Sequence, residues 1–235
     1  MNSAHTHIAA NVARVRERVA AAASRAGRPA EAVTIVAVTK TFGPDMVEAI
    51  ARAGIGDIGE NRVQELLTKL DAVREPCRWH LVGPLQRNKA GKVVGRVHLL
   101  QAIDGVRIAE TVDRIAGERG VRAAVLLEVN TSGEASKHGV APGETVAAGE
   151  ALAGLAHLDF RGLMTIGPLT GGPDDTRRCF RQLHALAEET RRATGLALPE
   201  LSMGMSGDFE AAIEEGATII RVGRVITGDR PEPVG

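Results

Sequence analysis

The sequence predicts an α/β fold, a single (β/α)8 TIM barrel with an extra N-terminal helix. Three observations carry this. About eight short apolar runs alternate with segments of helical periodicity along the 235 residues, which is the pattern of parallel βαβ units. The alternation continues without a linker-like change of composition, so residues 1–235 are expected to form one domain of a length that suits one barrel. No G-x-G-x-x-G follows the first strand and no G-x-x-x-x-G-K-[ST] occurs, which argues against the rival doubly wound sheet with its usual nucleotide.

The elements follow in order. Residues 1–27 contain the leading helix, with Ile8, Val12, Val15 and Val19 at helical spacing and Gly27 and Pro29 ending it. Residues 33–40, Val-Thr-Ile-Val-Ala-Val-Thr-Lys, form an apolar, β-branched run that reads as a strand buried on both faces. A helix follows Pro44 and stops near Gly54. Strand 55–58 and helix 62–73 come next, then strand 79–82, which breaks at Gly83-Pro84. Helix 86–94, strand 97–102 and helix 106–119 continue the alternation. Strand 123–129 ends at Asn130-Thr131-Ser132-Gly133, and Pro142 opens a helix to about Ala156. Strand 160–164 leads into a Gly/Pro-rich loop, 167–173, and a long helix, 174–194. Strand 200–202, helix 209–215, strand 217–221 and a helix from Val222 to Thr227 complete the set, leaving 228–235 as a loose tail.

Composition excludes several classes. Lysine plus arginine equals aspartate plus glutamate, 29 against 29, so no whole-chain field draws nucleic acid or anionic membrane. Hydrophobic residues make up 44%, as expected of a folded domain. The two cysteines, Cys77 and Cys179, stand far apart and outside metal-ligand spacing, which suits a reducing, cytoplasmic setting. No apolar run approaches the ~18 residues of a membrane span. The N-terminal segment lacks signal-peptide character. A monomer is the expected state.

In such a barrel the loops after the strands build the site. Polar residues gather there: Lys40, Asn61, His80, Asn130, Ser202, Ser206 and Arg221. Lys40 ends the first strand with its stem among apolar neighbours. Burial lowers a lysine pKa, and a neutral amine forms Schiff bases with aldehydes. The plainer account is that Lys40 reaches to solvent. Asn61 has a plainer account as a helix cap. His80 is expected to be a satisfied core histidine. Arg87, Lys89, Lys92 and Arg96 fit a solvated helix face. Ser206-Gly207 and Gly223 each precede a short helix, and free amides beside a hydroxyl suit a phosphate dianion. An aldehyde and a phosphate together describe pyridoxal 5′-phosphate (PLP).

Several stretches resemble the PLP homeostasis proteins, the YggS/PROSC-like family. They are Ala37-Val38-Thr39-Lys40, Gly59-Glu60-Asn61-Arg62-Val63-Gln64-Glu65, the segment W-H-L-V-G-P-L-Q-R-N-K beginning at Trp79, Arg161-Gly162-Leu163-Met164, and Leu201-Ser202-Met203-Gly204-Met205-Ser206. The resemblance spans nearly the whole chain and implies the barrel half of fold-type III PLP enzymes such as alanine racemase. By resemblance, Lys40 forms the internal aldimine and Asn61 lies near the cofactor ring. Ser206, with the amides of Gly207, Gly223 and Arg224, holds the phosphate, and Arg221 faces the pyridine nitrogen. Arg224 departs from the small hydroxyl residue usual there, and Ile58 from a common aromatic.

The function this implies is a PLP carrier that maintains free cofactor at a low level and delivers it to apoenzymes, without significant catalysis. The alternative is an amino-acid racemase, which needs an acid/base on each face of its substrate. In alanine racemase the second base is a tyrosine from a further domain. This chain has no tyrosine and ends soon after the eighth strand. A third reading, a nucleic-acid or partner adaptor using the face from Arg87 to Arg96, has the neutral net charge against it.

Overall fold

The computed structural model of the protein describes residues 7–228. Residues 1–6 of the expected leading segment and 229–235 of the expected tail lie outside the described residues. The strands are β1 (Thr34–Val38), β2 (Asp57–Glu60), β3 (Arg78–Leu81), β4 (Leu99–Ile103), β5 (Ala123–Glu128), β6 (Leu158–Met164), β7 (Glu200–Ser202) and β8 (Ile219–Val222). Each pairs parallel with the next, and β8 pairs back onto β1 to close the barrel. Parallel neighbours need long crossovers, and helices supply them. These are α2 (Pro44–Arg52), α3 (Val63–Ala72), α4 (Arg87–Val93), α5 (Val106–Glu118), α6 (Thr145–Ala153), α7 (Pro173–Thr194) and α8 (Phe209–Glu214), with α9 (Arg224–Thr227) after the last strand and α1 (Ile8–Arg25) before the first. The expected (β/α)8 barrel with an extra N-terminal helix is what forms.

Two hydrophobic clusters follow from the period of two along each strand. Outward residues such as Ala37, Ile58, Leu100, Leu127 and Val222 pack under the helices in the larger cluster. Val36, Leu99, Leu126, Met164 and Ile219 form a smaller one inside the barrel.

Some boundaries move, for a common reason. Strand 2 was expected at 55–58 and forms at Asp57–Glu60, because the Ile55 amide donates to Ile50 O in the turn that ends α2. Strand 8 was expected at 217–221 and forms at Ile219–Val222, because the Ala217 amide closes the end of α8 on Ala212 O. Val222, expected to begin the last helix, instead lies opposite Ala37 in the sheet. In both strands a helix-ending turn thus consumes the first residues of the apolar run.

The extra helix has a specific task. Its apolar stripe, Ile8, Val12, Val15, Val19, Ala22 and Ala23, is buried. Arg18 pairs with Glu210 at 3.0 Å and lies over the Phe209 ring, both on α8. Asn11 donates to Ile226 O on α9 at 2.9 Å. α1 therefore braces the two shortest helices, the ones that follow β7 and β8.

Candidate functional site

Lys40 stands two residues past β1, half-buried, at the mouth of the barrel. The next residue, Thr41, has φ 72°, a left-handed conformation that a β-branched residue rarely adopts. Its amide donates to the Glu65 carboxylate at 3.2 Å, so α3 holds this turn. Below it, Thr39 Oγ1 and Lys69 Nζ both donate to Glu60 Oε1 at 2.5 Å, and Lys69 Nζ also donates to Thr39 O at 2.7 Å. These groups are buried between strand ends and α3, and Glu60 Oε2 has no partner. Burial pushes the Glu60 carboxyl above its ordinary value despite Lys69 and Thr39. The backbone before and after Lys40 is thereby fixed on both sides.

Asn61 follows β2, half-buried. It does not cap α3: the cap position is Arg62, with no side-chain cap bond. Its backbone is close to Gly83, where a Cβ would lie 2.4 Å from Asn61 O. Only glycine permits the β2 and β3 loops to meet there, which explains the Gly83-Pro84 break.

Ser206 and Gly223, 17 residues apart, come together: the Gly223 amide donates to Ser206 Oγ at 3.1 Å. Gly223 also backs onto β1, since a Cβ there would meet Val38 O at 3.2 Å. Closure of the barrel between β8 and β1 thus sets the Ser206–Gly223 pair beside the end of the strand that carries Lys40. Gly207 and Arg224 are exposed around it. α8 begins at Phe209, as expected, and Asp208 lies between it and Gly207 as the cap residue, its carboxylate accepting from the Met205 amide at 2.5 Å. Burial raises the Asp208 pKa.

Arg221 lies on β8 inside the barrel, 5% exposed. Its guanidinium donates to Ser202 Oγ and, at 2.8 Å, to Thr165 O. It forms no ion pair among the described residues, so it is not simply a partner for a carboxylate at the mouth. Burial pulls its pKa down to about 10, with the charges of Glu128 and Asp208 opposing. It stays cationic at neutral pH. Two of its five N–H donors are engaged, and the rest have no acceptor among the described residues.

His80 is buried and satisfied, between Asp57 at 3.0 Å and Gln101 at 2.9 Å. Asn130 organises its own loop: Oδ1 accepts from Ser132 Oγ and the Gly133 amide, and Nδ2 donates to Glu134 O. Sequence reasoning missed Asp57, Gln101 and Thr165. A lone glutamine in the apolar strand Leu-Leu-Gln-Ala-Ile was the available signal.

The donor set fits one cofactor class. It offers an amine for an aldehyde, a hydroxyl with neighbouring amides for a phosphate, and a buried guanidinium with unused donors for a ring nitrogen. The match of residues 8–231 to the alanine racemase N-terminal domain model decides the superfamily. A PLP homeostasis protein of Aquifex aeolicus is 40% identical over 220 residues, 93% of this chain and 96% of that one. The chain belongs to the PLP homeostasis proteins. PipY of Synechococcus elongatus, in a structure with PLP bound, is 36% identical with a TM-score of 0.80, covering 91% of this chain and 100% of that one. An alanine racemase of Clostridium difficile shares the fold at 12% identity and a TM-score of 0.74, over 92% of this chain and 60% of its own.

No group of three or more His, Cys, Asp or Glu able to hold a metal occurs among the described residues. No helix among them is long and apolar enough to cross a membrane. Cys77 and Cys179 are free thiols, and burial raises both pKa values. On the α4 face, Arg87 and Lys92 are exposed, and Arg96 pairs with Asp71 at 2.6 Å.

Proposed function

We propose that this chain binds pyridoxal 5′-phosphate through Lys40 and acts as a carrier that keeps the reactive aldehyde occupied until an apoenzyme takes it, with no significant catalysis of its own. The observation that carries this is that three groups stand on or just after the strands that close the barrel, β7, β8 and β1. Lys40 follows β1, the Ser206–Gly223 pair closes against that strand, and Arg221 lies on β8 with Val36 of β1 opposite. The PLP-bound relative supports the cofactor.

Each residue has a task. Lys40 provides the amine, and the Thr39 and Thr41 anchors hold it at the mouth. Ser206 and the amides of Gly207 and Arg224 receive the phosphate, with the Arg224 cation beside them and the Gly223 amide, which donates to Ser206 Oγ in the structure, orienting that hydroxyl. Asn61 borders the ring. Bound PLP supplies an electron sink, deepest when its ring nitrogen is protonated. A guanidinium only donates, so a nitrogen held by Arg221 accepts a hydrogen bond and stays unprotonated, which keeps that sink shallow. The 235 residues contain no tyrosine to serve as a second base. Both features favour storage over racemisation. The chain is proposed to act as a cytoplasmic monomer, with PLP-dependent apoenzymes as its partners.

The experiment is an absorption spectrum of PLP-loaded protein before and after borohydride, followed by peptide mapping. A pyridoxyl label on the peptide containing Lys40 is expected. A label confined to other lysines overturns the assignment.

A further inference from the structure

A buried chain of hydrogen bonds runs through the barrel interior and ends on Arg221. Arg221 donates to Ser202 Oγ. Ser202 Oγ is 2.6 Å from Gln101 Oε1. Gln101 Nε2 is 2.9 Å from His80 Nδ1, and His80 Nε2 is 3.0 Å from Asp57 Oδ1. Ser202 and Gln101 are fully buried and His80 is 2% exposed. Ser202 is on β7 and Gln101 on β4, with β5 and β6 between them in the sheet. Their bond therefore crosses the inside of the barrel. At the far end Asp57 also accepts a two-point contact from the exposed Arg78.

The chemistry of the two ends leaves one direction for every proton. A guanidinium has no acceptor, so Ser202 Oγ accepts from Arg221 and its own hydrogen goes to Gln101 Oε1. The Gln101 amide group then donates to His80 Nδ1, which must be unprotonated, and His80 Nε2–H donates to Asp57. The Asp57 carboxyl stays ionised because the bonds from His80 and Arg78 outweigh its burial and hold its pKa at about 2. Turning the Gln101 amide over would leave the Ser202 hydrogen without an acceptor. It would also demand a proton on His80 Nδ1 and, in a neutral ring, set a bare Nε2 against the carboxylate. Hydrogen bonds in such a chain polarise one another, and an unsatisfied buried member is costly.

We propose that His80 and Gln101 are positioning residues for Arg221: through Ser202 they fix the guanidinium in one orientation and so tune the ring nitrogen of bound PLP from inside the barrel. Two contacts, Ser202 Oγ and Thr165 O, then decide which guanidinium donors remain for the ligand. The inference rests on the assignment of Arg221 to the ring nitrogen.

Two readouts test it separately. In the PLP-free protein, 15N NMR of labelled histidine, with His80 assigned through His80→Phe, is expected to show a protonated Nε2 and a bare Nδ1. A bare Nε2 overturns the chain. In protein loaded with 15N-labelled PLP, the ring-nitrogen resonance is expected to move in His80→Phe, Gln101→Leu and Ser202→Ala. It should return toward wild type in His80→Asn, whose Oδ1 can accept from Gln101 where Nδ1 did. Ser202→Ala removes one oxygen and remains informative if the larger changes unfold the protein. An unmoved resonance in folded, PLP-loaded Ser202→Ala and Gln101→Leu overturns the positioning role while leaving PLP binding intact. Wild-type protein that takes up no PLP overturns both this inference and the proposed function, whatever the histidine tautomer.

Discussion

The Lys69 ammonium lies 2.5 Å from the Glu60 carboxylate in a buried pair whose side chains are 5% and 0% exposed. Lys69 also holds the carbonyl of Thr39, the residue before Lys40. Breaking a buried pair from one side leaves a charge without compensation, at a cost of roughly 3–5 kcal/mol. Lys69→Met is expected to lose about that much in urea unfolding. Lys69→Met combined with Glu60→Leu should recover most of it, because the isolated carboxylate is gone. Equal losses in the single and double variants would show that packing, and not charge, sets the effect.

Lys40→Ala should abolish the borohydride-fixed pyridoxyl label on its peptide while leaving the fold, since the side chain is only half-buried at a loop. Weak noncovalent binding through Ser206 and Gly223 is expected to persist. Mass spectrometry of the reduced protein checks this, and an unchanged label on the same peptide would falsify the assignment.

Ser206→Ala removes the hydroxyl proposed to bind the phosphate, which is also the acceptor of the Gly223 amide. A hydrogen bond to a charged group contributes roughly 1.5–3 kcal/mol. PLP affinity should therefore fall about ten-fold or more, with the covalent link still forming at saturation. A titration with unchanged affinity places the phosphate elsewhere.

Asp57 supplies an acid-dependent part of stability. Its folded pKa, about 2, lies below the ordinary carboxylate value of 3.8. A depressed acid stabilises the fold above its unfolded pKa and loses that contribution as pH falls through the folded one. The window thus runs from about pH 4 down to about 2, and the amount is roughly 2 kcal/mol. Asp57→Asn should lose this much at neutral pH and show a flatter stability profile across that window. A parallel profile for variant and wild type would assign the acid sensitivity to other groups.

Holo-protein incubated with L-alanine in deuterium oxide should show slow or absent exchange of the α-proton and no D-alanine. On the proposed assignment Arg221 donates to the ring nitrogen and so keeps it an acceptor, and the 235 residues contain no tyrosine to act as a second base. Enzyme-like turnover would overturn the carrier reading in favour of the racemase.

The sequence by itself determined the architecture. Eight apolar runs such as 33–40, separated by amphipathic segments, imply a parallel α/β fold, and their number at this length, with no nucleotide-binding glycine motif, points to the closed barrel over the doubly wound sheet. It also marked Lys40, Ser206 and Gly223 as chemistry-bearing, because each follows a strand and loops after strands face one mouth. Strand boundaries at Asp57 and Ile219 were not legible, since the preceding helix turns take up Ile55 and Ala217. The interior polar chain was decided only by tertiary structure. Period-two alternation tells that Gln101 shares a face with Leu99, but only closure of the sheet turns that face inward and brings β4 opposite β7. Asp57, His80, Gln101, Ser202 and Arg221 come from five strands, and local patterning holds no record of which will touch. Burial then imposes what the sequence cannot: every member must find its partner inside the barrel, and the two charged ends leave a single arrangement of protons.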